Sequence, residues 1–197
     1  MSIPQNNQSR TRYAIGFIVF TFIINVVLLF VHYRYYREIQ HLNTAQVVEI
    51  VQYFAYHWIK IILKMVSIIV FIFSAITFIQ WFRRAYTNVE IDNAGLKFKN
   101  DEIVLSFLNP ITFFNKPYFI MKELFETLKL KTDILKVWWG TWIFNLLLNA
   151  LVIPFLKQNT VGELSFNLQI NIISNIVWIV LSLLTIKVIQ MVSSKGD

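Results

Sequence analysis

The 197-residue chain lacks cysteine, contains only five glycines and four prolines, and has 15% charged residues. The absence of cysteine excludes disulfide scaffolds, iron–sulfur clusters, thiolate zinc sites and cysteine nucleophiles. The glycines are so widely spaced that no phosphate-cradling or dinucleotide-binding loop can be written into the chain. Because soluble domains carry about a quarter charged residues, the scarcity of charge excludes an ordinary soluble protein.

Apolar residues are abundant instead. Hydrophobic residues make up 56% of the sequence, and the mean hydropathy is +0.56. One buried core cannot account for this excess, because a domain of this size must still cover a large water-facing surface. Four apolar segments are long enough to cross the hydrocarbon core of a bilayer: residues 14–31, 61–82, 137–156 and 169–192. We therefore predict an all-α integral membrane protein, a four-helix transmembrane bundle forming a single domain over residues 1–197.

A fifth apolar segment, residues 103–125, is interrupted by Asn109-Pro110 and by Asn115-Lys116-Pro117. If this segment stays on one side, thirteen lysines and arginines share the side of both termini and four lie on the other; if it crosses, the count becomes seven against ten. Because cytoplasmic loops carry the excess of positive charge, the first topology is favoured, with both termini in the cytoplasm. We expect residues 103–130 to form a re-entrant or interfacial segment on the cytoplasmic side.

The second half of that segment, residues 117–130, has an amphipathic pattern. Met121, Leu124, Phe125 and Leu128 share one helical face, and charged residues lie on the other. This pattern is typical of a helix lying flat in the headgroup region. Near the start of the second span, we expect Lys64 to extend its ammonium toward the headgroups.

Asparagines stand out in the last two spans. Asn145 and Asn149 lie four residues apart, and Asn167, Asn171 and Asn175 continue the same spacing in the next span. Because these spans run antiparallel, the two rows can meet at similar depth. The asparagine side chains either form amide hydrogen bonds that hold the helices together or line a polar track for a small solute or ion. The first interpretation is favoured, since no acidic residue lies mid-span to relay protons or bind a coupling cation.

Neither a catalytic site nor a metal site can be identified. No nucleophile, base and orienting group occur at a recognisable spacing, so we expect no enzymatic activity and no cofactor. His32, His41 and His57 fall in one loop region with Glu38 and Glu49, but their spacing matches no zinc motif. We interpret these histidines as membrane-boundary residues.

Three polar and aromatic motifs occur in order between residues 78 and 150: W-x-x-R-A-Y-x-N, N-P-I-x-x-x-N-K-P-Y-x-x-M-K-E-L and W-W-x-x-W. Together they resemble the bacterial multi-pass membrane proteins of domain of unknown function 4328. The resemblance implies a protein of the bacterial cytoplasmic (inner) membrane with no established activity. Residues 104–108 depart from the glycine- and tryptophan-rich stretch usual in that family. The family's motif positions correspond here to Trp81, Arg84, Ala85, Tyr86, Asn88, Pro110, Asn115, Pro117, Tyr118 and Glu123.

We expect these motif residues to form one cluster at the cytoplasmic face, serving either as architecture or as a binding site. In this hypothesis Arg84 pairs with Glu123, while Tyr86, Asn88 and Asn115 supply the hydrogen bonds that close the proline-broken backbone. Nearby aromatic and basic side chains leave room for an anionic lipid headgroup. These are Phe82, Arg83, Lys97 and Phe98.

Two functional classes remain. The first is a non-enzymatic membrane component that binds another membrane protein or a lipid, an anionic lipid included. The second is a small-solute or ion conduit through the asparagine-lined helix interface. A nucleic-acid partner is not expected despite the net charge of +7, because the basic residues flank the spans rather than forming a separate stripe.

Overall fold

The computed structural model describes residues 6–40, 50–92, 95–109, 111–156 and 160–196. None of these residues forms a strand, and the predicted all-α fold is confirmed. A π-helical turn, Leu148–Val152, and a 3-10 turn, Ile153–Phe155, follow the fifth helix. The α-helices of these described ranges are α1 Gln8–Gln40, α2 Ile50–Asp92, α3 Asn100–Leu108, α4 Lys116–Thr127, α5 Asp133–Leu147 and α6 Val161–Gly196.

In the part of the chain that the structure describes, four helical stretches are long and apolar enough to cross a membrane: Gln8–Gln40, Trp58–Ile91, Asp133–Phe155 and Val161–Lys195. Each contains one of the predicted spans, apart from the last residue, 156, of the third span. At 1.5 Å per residue, the 33 residues of α1 extend about 50 Å, more than the hydrocarbon thickness of about 30 Å. The long helices therefore continue beyond the apolar segments that define them in the sequence.

The long helices run antiparallel, with α1 packed along both α2 and α6, and α5 packed against α6. We call the end that carries the start of α1 and the end of α6 the terminal end, and the opposite one the distal end. Polar contacts between α1 and α6 recur along their whole length. They are Thr11–Ser193 at 3.1 Å, His32–Asn175 at 2.8 Å, Tyr36–Gln169 at 2.9 Å and Gln40–Ser165 at 3.0 Å.

Helices α3 and α4 form a short hairpin that packs between α2 and α5 at the terminal end. The Phe107 ring of α3 meets the Phe78 and Phe82 rings of α2 edge-to-face, each at 6.2 Å between centroids. After α3, Trp139 Nε1 of α5 donates to the Phe114 carbonyl at 3.0 Å. Because α3 has nine residues and α4 has twelve, neither is long enough to cross a bilayer.

The amphipathic face of α4 does not have the environment that we expected from the sequence. Met121, Leu124 and Phe125 are fully buried in the protein core rather than facing lipid headgroups, and Leu128 packs against that core. The reason is tertiary: α2, α3 and α5 together supply an apolar surface that covers this face of α4. The charged residues of α4 remain on the outside, where Lys122 and Glu126 lie 3.5 Å apart.

Candidate functional site

The motif residues at the terminal end are joined by a hydrogen-bond network centred on Tyr86. The Tyr86 hydroxyl donates to Glu123 Oε2 at 2.7 Å and accepts from the Phe98 amide at 3.1 Å. The second carboxylate oxygen of Glu123, Oε1, accepts from the Lys97 amide at 2.9 Å. One phenol and one carboxylate therefore hold α2, α4 and the turn before α3 together.

The expected pairing of Arg84 with Glu123 is not found among the described residues. Each oxygen of the Glu123 carboxylate already accepts one of the hydrogen bonds just described, one from a phenol and one from a backbone amide. Arg84 is half-exposed on α2. The carboxylate thus holds the Lys97 amide directly and the Phe98 amide through the Tyr86 hydroxyl, away from the proline-broken turn.

Most other motif residues are also part of the packed interior. Trp81 is fully buried, and its Nε1 donates to Ser193 Oγ at 3.3 Å. Asn88 and Pro117 are buried, and Tyr118 packs at the edge of the core.

The turn between α3 and α4 is closed differently from our expectation. Asn115 is exposed and its side chain makes no capping hydrogen bond to α4. Asn109 closes the turn instead, because its Oδ1 accepts from the Ile111 amide at 2.9 Å. Pro110 lies outside the described residues. Phe82 is fully buried, so its ring is not available to an anionic headgroup. The burial and bonding of the motif residues support an architectural role for the cluster.

The asparagine rows of α5 and α6 meet in the distal half through a serine. Asn149 Nδ2 donates to the Asn145 carbonyl at 2.8 Å, and it lies 3.1 Å from Ser174 Oγ on α6. Asn149 lies in the π-helical turn after α5, a feature that recurs at functional sites. On α6, Asn171 Nδ2 donates to the Asn167 carbonyl at 2.8 Å.

The asparagine row on α6 also contacts α1, and this contact was not predicted from the sequence. Asn175 Nδ2 lies 2.8 Å from His32 Nδ1, and both side chains are buried. The polar character of His32 between apolar neighbours was the available signal for this contact. The tyrosines that follow it favour a boundary residue instead, and its partner lies more than a hundred positions away in the sequence.

These polar side chains surround a cavity of about 220 Å³ in the distal half, which we call the polar cavity. All four long helical segments contribute to its lining. Its polar lining consists of Asn25, His32, Lys60, Lys64, Ser67, Asn149, Asn171, Ser174 and Asn175. No acidic residue occurs among the described residues that line it. The two lysines are thus the only side chains with a permanent charge in this lining.

From the sequence, Lys60 counts among the four positive charges on the non-cytoplasmic side, and Lys64 is expected to extend toward the headgroups. Both line the polar cavity, and Lys60 is half-buried. Within the described part of the chain, neither lysine forms an ion pair with a carboxylate. A spacing of four residues places them on one face of α2, which was the signal available in the sequence.

A second cavity, of about 100 Å³, lies nearer the terminal end, and we call it the aromatic cavity. Phe71 and Trp178 line both cavities and meet edge-to-face with 5.5 Å between ring centroids. This ring pair therefore lies where the polar lining changes to an apolar one. The aromatic cavity is otherwise lined largely by the rings of Phe78, Phe107, Trp138, Trp139 and Trp142.

In comparisons with known proteins, a family model described as Domain of unknown function (DUF4328) matches residues 44–194. The match extends beyond residues 78–150, which carry the motifs, at both ends. No curated protein and no solved structure matches the chain.

Proposed function

We propose that this chain, which belongs to the family of domain of unknown function 4328, is a non-enzymatic membrane protein that binds a lipid within its helix bundle. The observation that carries the proposal is the polar cavity, which has a basic lining from all four long helical segments and borders the Phe71–Trp178 pair. Such a concave site with a few convergent polar groups is the usual form of a ligand-binding site.

The change of lining at Phe71 and Trp178 favours binding over conduction. A hydrated ion that moves past this ring pair enters the aromatic cavity, where few polar atoms replace its water. The hydroxyls in that region are already engaged: Ser182 donates to the Trp178 carbonyl at 2.8 Å, and Thr185 donates to the Leu181 carbonyl at 2.7 Å. A polar ligand group is therefore held in the polar cavity rather than passed through.

The conduit remains the second candidate, because the two cavities share Phe71 and Trp178. Phe71 and Trp178 contribute to both linings, so the two cavities adjoin at this ring pair. In a conduit, Asn149, Asn171 and Asn175 form one side of a solute path.

Thiol labelling separates the two candidates, and a chain without cysteine gives no background. Ser67→Cys reports on the polar cavity and Ser182→Cys on the aromatic cavity, with exposed Ser194→Cys as the labelling control. The binding proposal predicts that a membrane-impermeant thiol reagent modifies Ser67→Cys and leaves Ser182→Cys unmodified in reconstituted vesicles. Modification of both at similar rates contradicts it and favours the conduit.

For orientation, we propose that the terminal end faces the cytoplasm of a bacterial cell, with the chain in the cytoplasmic (inner) membrane. The excess of lysine and arginine at the terminal end supports this orientation. The α3–α4 hairpin then enters from the cytoplasmic side as a re-entrant or interfacial segment, and the polar cavity lies in the outer half of the bilayer. Reporter fusions after Asn43, Lys99, Lys131 and Thr160 are expected to report outside, inside, inside and outside; any other order contradicts this topology.

A further inference from the structure

We infer that the ligand is an amphiphile with an anionic, phosphate-type headgroup, bound by Lys60 and Lys64, whose hydrocarbon chain extends past Phe71 and Trp178 into the aromatic cavity. This inference rests on the proposed function and names the class of ligand. The two cavities together reach the lower end of the range of about 300–1,000 Å³ that is usual for small-molecule sites.

The charge of the polar cavity indicates the sign of the headgroup. Two ammonium groups line one cavity that, among the described residues, contains no acidic side chain. Charged groups within a membrane protein are costly unless they are paired or hydrated. A headgroup phosphate offsets both positive charges at once and offers several acceptor oxygens to the ammonium, amide and hydroxyl donors.

The order of residues along α2 indicates how the ligand lies. Lys60, Lys64 and Ser67 follow one helix face in the polar cavity, and Phe71 comes next on the same face. Ala75 and Phe78 continue that face into the aromatic cavity. The lining therefore changes from cationic to hydroxyl to aromatic along one helix, over about 27 Å from Lys60 to Phe78.

Helix α6 also changes from polar to largely apolar along the opposite wall, without a cation. Asn171, Ser174 and Asn175 line the polar cavity, and Trp178 lies at the boundary. Leu181 lines the aromatic cavity with Ser182 and Thr185, whose hydroxyls are bonded to backbone carbonyls. Two walls with matching polarity gradients fit a molecule that is itself polar at one end and apolar at the other. A free inorganic phosphate fills only the polar part and leaves the aromatic cavity unused.

The lining changes from polar to apolar in the same direction as a lipid of the distal leaflet, from its headgroup to its hydrocarbon chains. Lys60 precedes the apolar segment 61–82, so it lies near the distal membrane surface, and the aromatic cavity lies deeper toward the terminal end. A lipid of the distal leaflet has its headgroup at that surface and its chains toward the bilayer centre. It therefore enters the site without inverting.

The test is a titration of the full-length protein in detergent with phosphatidylglycerol or phosphatidylcholine, followed by native mass spectrometry. We expect phosphatidylglycerol to bind about tenfold or more tightly than phosphatidylcholine, and this preference to be lost in the double variant Lys60→Gln/Lys64→Gln. The matched control is Lys187→Gln/Lys195→Gln, which removes the same charge from exposed positions of α6. Because a basic protein attracts anionic lipid in general, only a loss specific to the cavity lysines supports the site.

A second pair of variants tests the chain-binding part. Ala75→Leu fills part of the aromatic cavity, whereas Ala150→Leu adds the same side chain at an exposed position outside it. We expect Ala75→Leu to weaken phosphatidylglycerol binding about tenfold and Ala150→Leu to leave it unchanged. Thermal melting of each variant in lipid-free detergent checks that it is folded.

The outcomes distinguish a lipid headgroup from free phosphate. They also distinguish a failure of the inferred ligand class from a failure of the proposed function. Equal binding of both lipids, or an unchanged preference in Lys60→Gln/Lys64→Gln, overturns the inferred ligand class. Inorganic phosphate that competes fully with phosphatidylglycerol, with no effect of Ala75→Leu, also overturns it and assigns a free anion instead. None of these results depends on thiol labelling, where modification of Ser67→Cys and Ser182→Cys at similar rates contradicts the proposed function itself.

Discussion

The terminal and distal halves of the bundle are built from the same long helices, yet their interiors differ. At the terminal end, the α3–α4 hairpin places Phe107 and Phe125 in the space between α2 and α5, and this space becomes a dense aromatic core. At the distal end no described helix fills the corresponding space, and a small cluster of Tyr35, Ile39 and Leu168 packs between α1 and α6. The difference separates stability from binding: the terminal core around Phe125 is filled by the protein's own rings, whereas the distal half is left for the headgroup of a ligand.

The largest expected effect comes from emptying the terminal core. Phe125 is fully buried, so Phe125→Ala leaves a cavity and lowers the free energy of unfolding by about 3–5 kcal/mol. Phe30 is 67% exposed, and Phe30→Ala serves as the matched control with an effect near zero in detergent. Thermal or denaturant unfolding followed by helical circular dichroism measures both. Equal losses at the two positions contradict the proposed division of the bundle.

A smaller effect is expected from the network of the terminal end. Tyr86→Phe removes the hydroxyl that joins Glu123 to the Phe98 amide, and we expect a loss of about 1–3 kcal/mol. The double variant with Glu123→Gln is expected to lose less than the sum of the single variants, because the two side chains share one hydrogen bond. Arg84→Gln combined with Glu123→Gln is expected to be additive. Strong non-additivity in the second pair restores the ion pair that the sequence suggested.

The hydrogen bonds of the distal half are expected to contribute less to the free energy of unfolding than the network of the terminal end. Asn149→Ala removes the contact between the π-helical turn and Ser174 of α6, and helix-to-helix hydrogen bonds in membranes average about 0.6 kcal/mol. The same unfolding measurement applies, with Ser174→Ala as the partner variant. A loss as large as that of Phe125→Ala is incompatible with a distal half built for binding.

The smallest effect concerns pH. Lys116 Nζ lies 2.7 Å from the exposed Glu102 carboxylate, and this hydrogen bond lowers the pKa of Glu102. Because the pKa is lower in the folded state, the contact stabilises the fold above the unfolded pKa, and its contribution is lost as pH falls through the folded pKa. The melting temperature of the wild type is thus expected to fall slightly more than that of Glu102→Gln as the pH is lowered from 7 to 4. Identical pH profiles contradict this assignment.

The long spans were predictable from the sequence because their signal is local. A run of apolar residues identifies a crossing helix without any knowledge of its neighbours, and all four predicted spans lie in long helices. Their ends were less predictable, since α1 continues from residue 31 to Gln40 through polar residues. Helix α2 likewise begins at Ile50, well before its apolar segment.

The environment of each face was not predictable, because it depends on partners that are distant in the sequence. The amphipathic pattern of α4 is the same whether Met121 faces lipid or a protein core, and only the positions of α2, α3 and α5 decide between them. Charge counting likewise places Lys60 near a membrane surface but does not indicate the direction of its side chain. The contacts of Asn175 with His32 and of Asn149 with Ser174 required the register of α6 against α1 and α5.

The separation of stability from binding is tested most directly by the shift in melting temperature that phosphatidylglycerol causes in two variants. Phe125→Leu alters the terminal core, and Lys60→Gln/Lys64→Gln alters the polar cavity. A lipid that binds only the folded state raises its melting temperature. We predict that Phe125→Leu melts at a lower temperature but keeps the wild-type shift, whereas the double lysine variant melts near the wild type and loses the shift. A shift that is lost in Phe125→Leu and kept in the lysine variant contradicts the account.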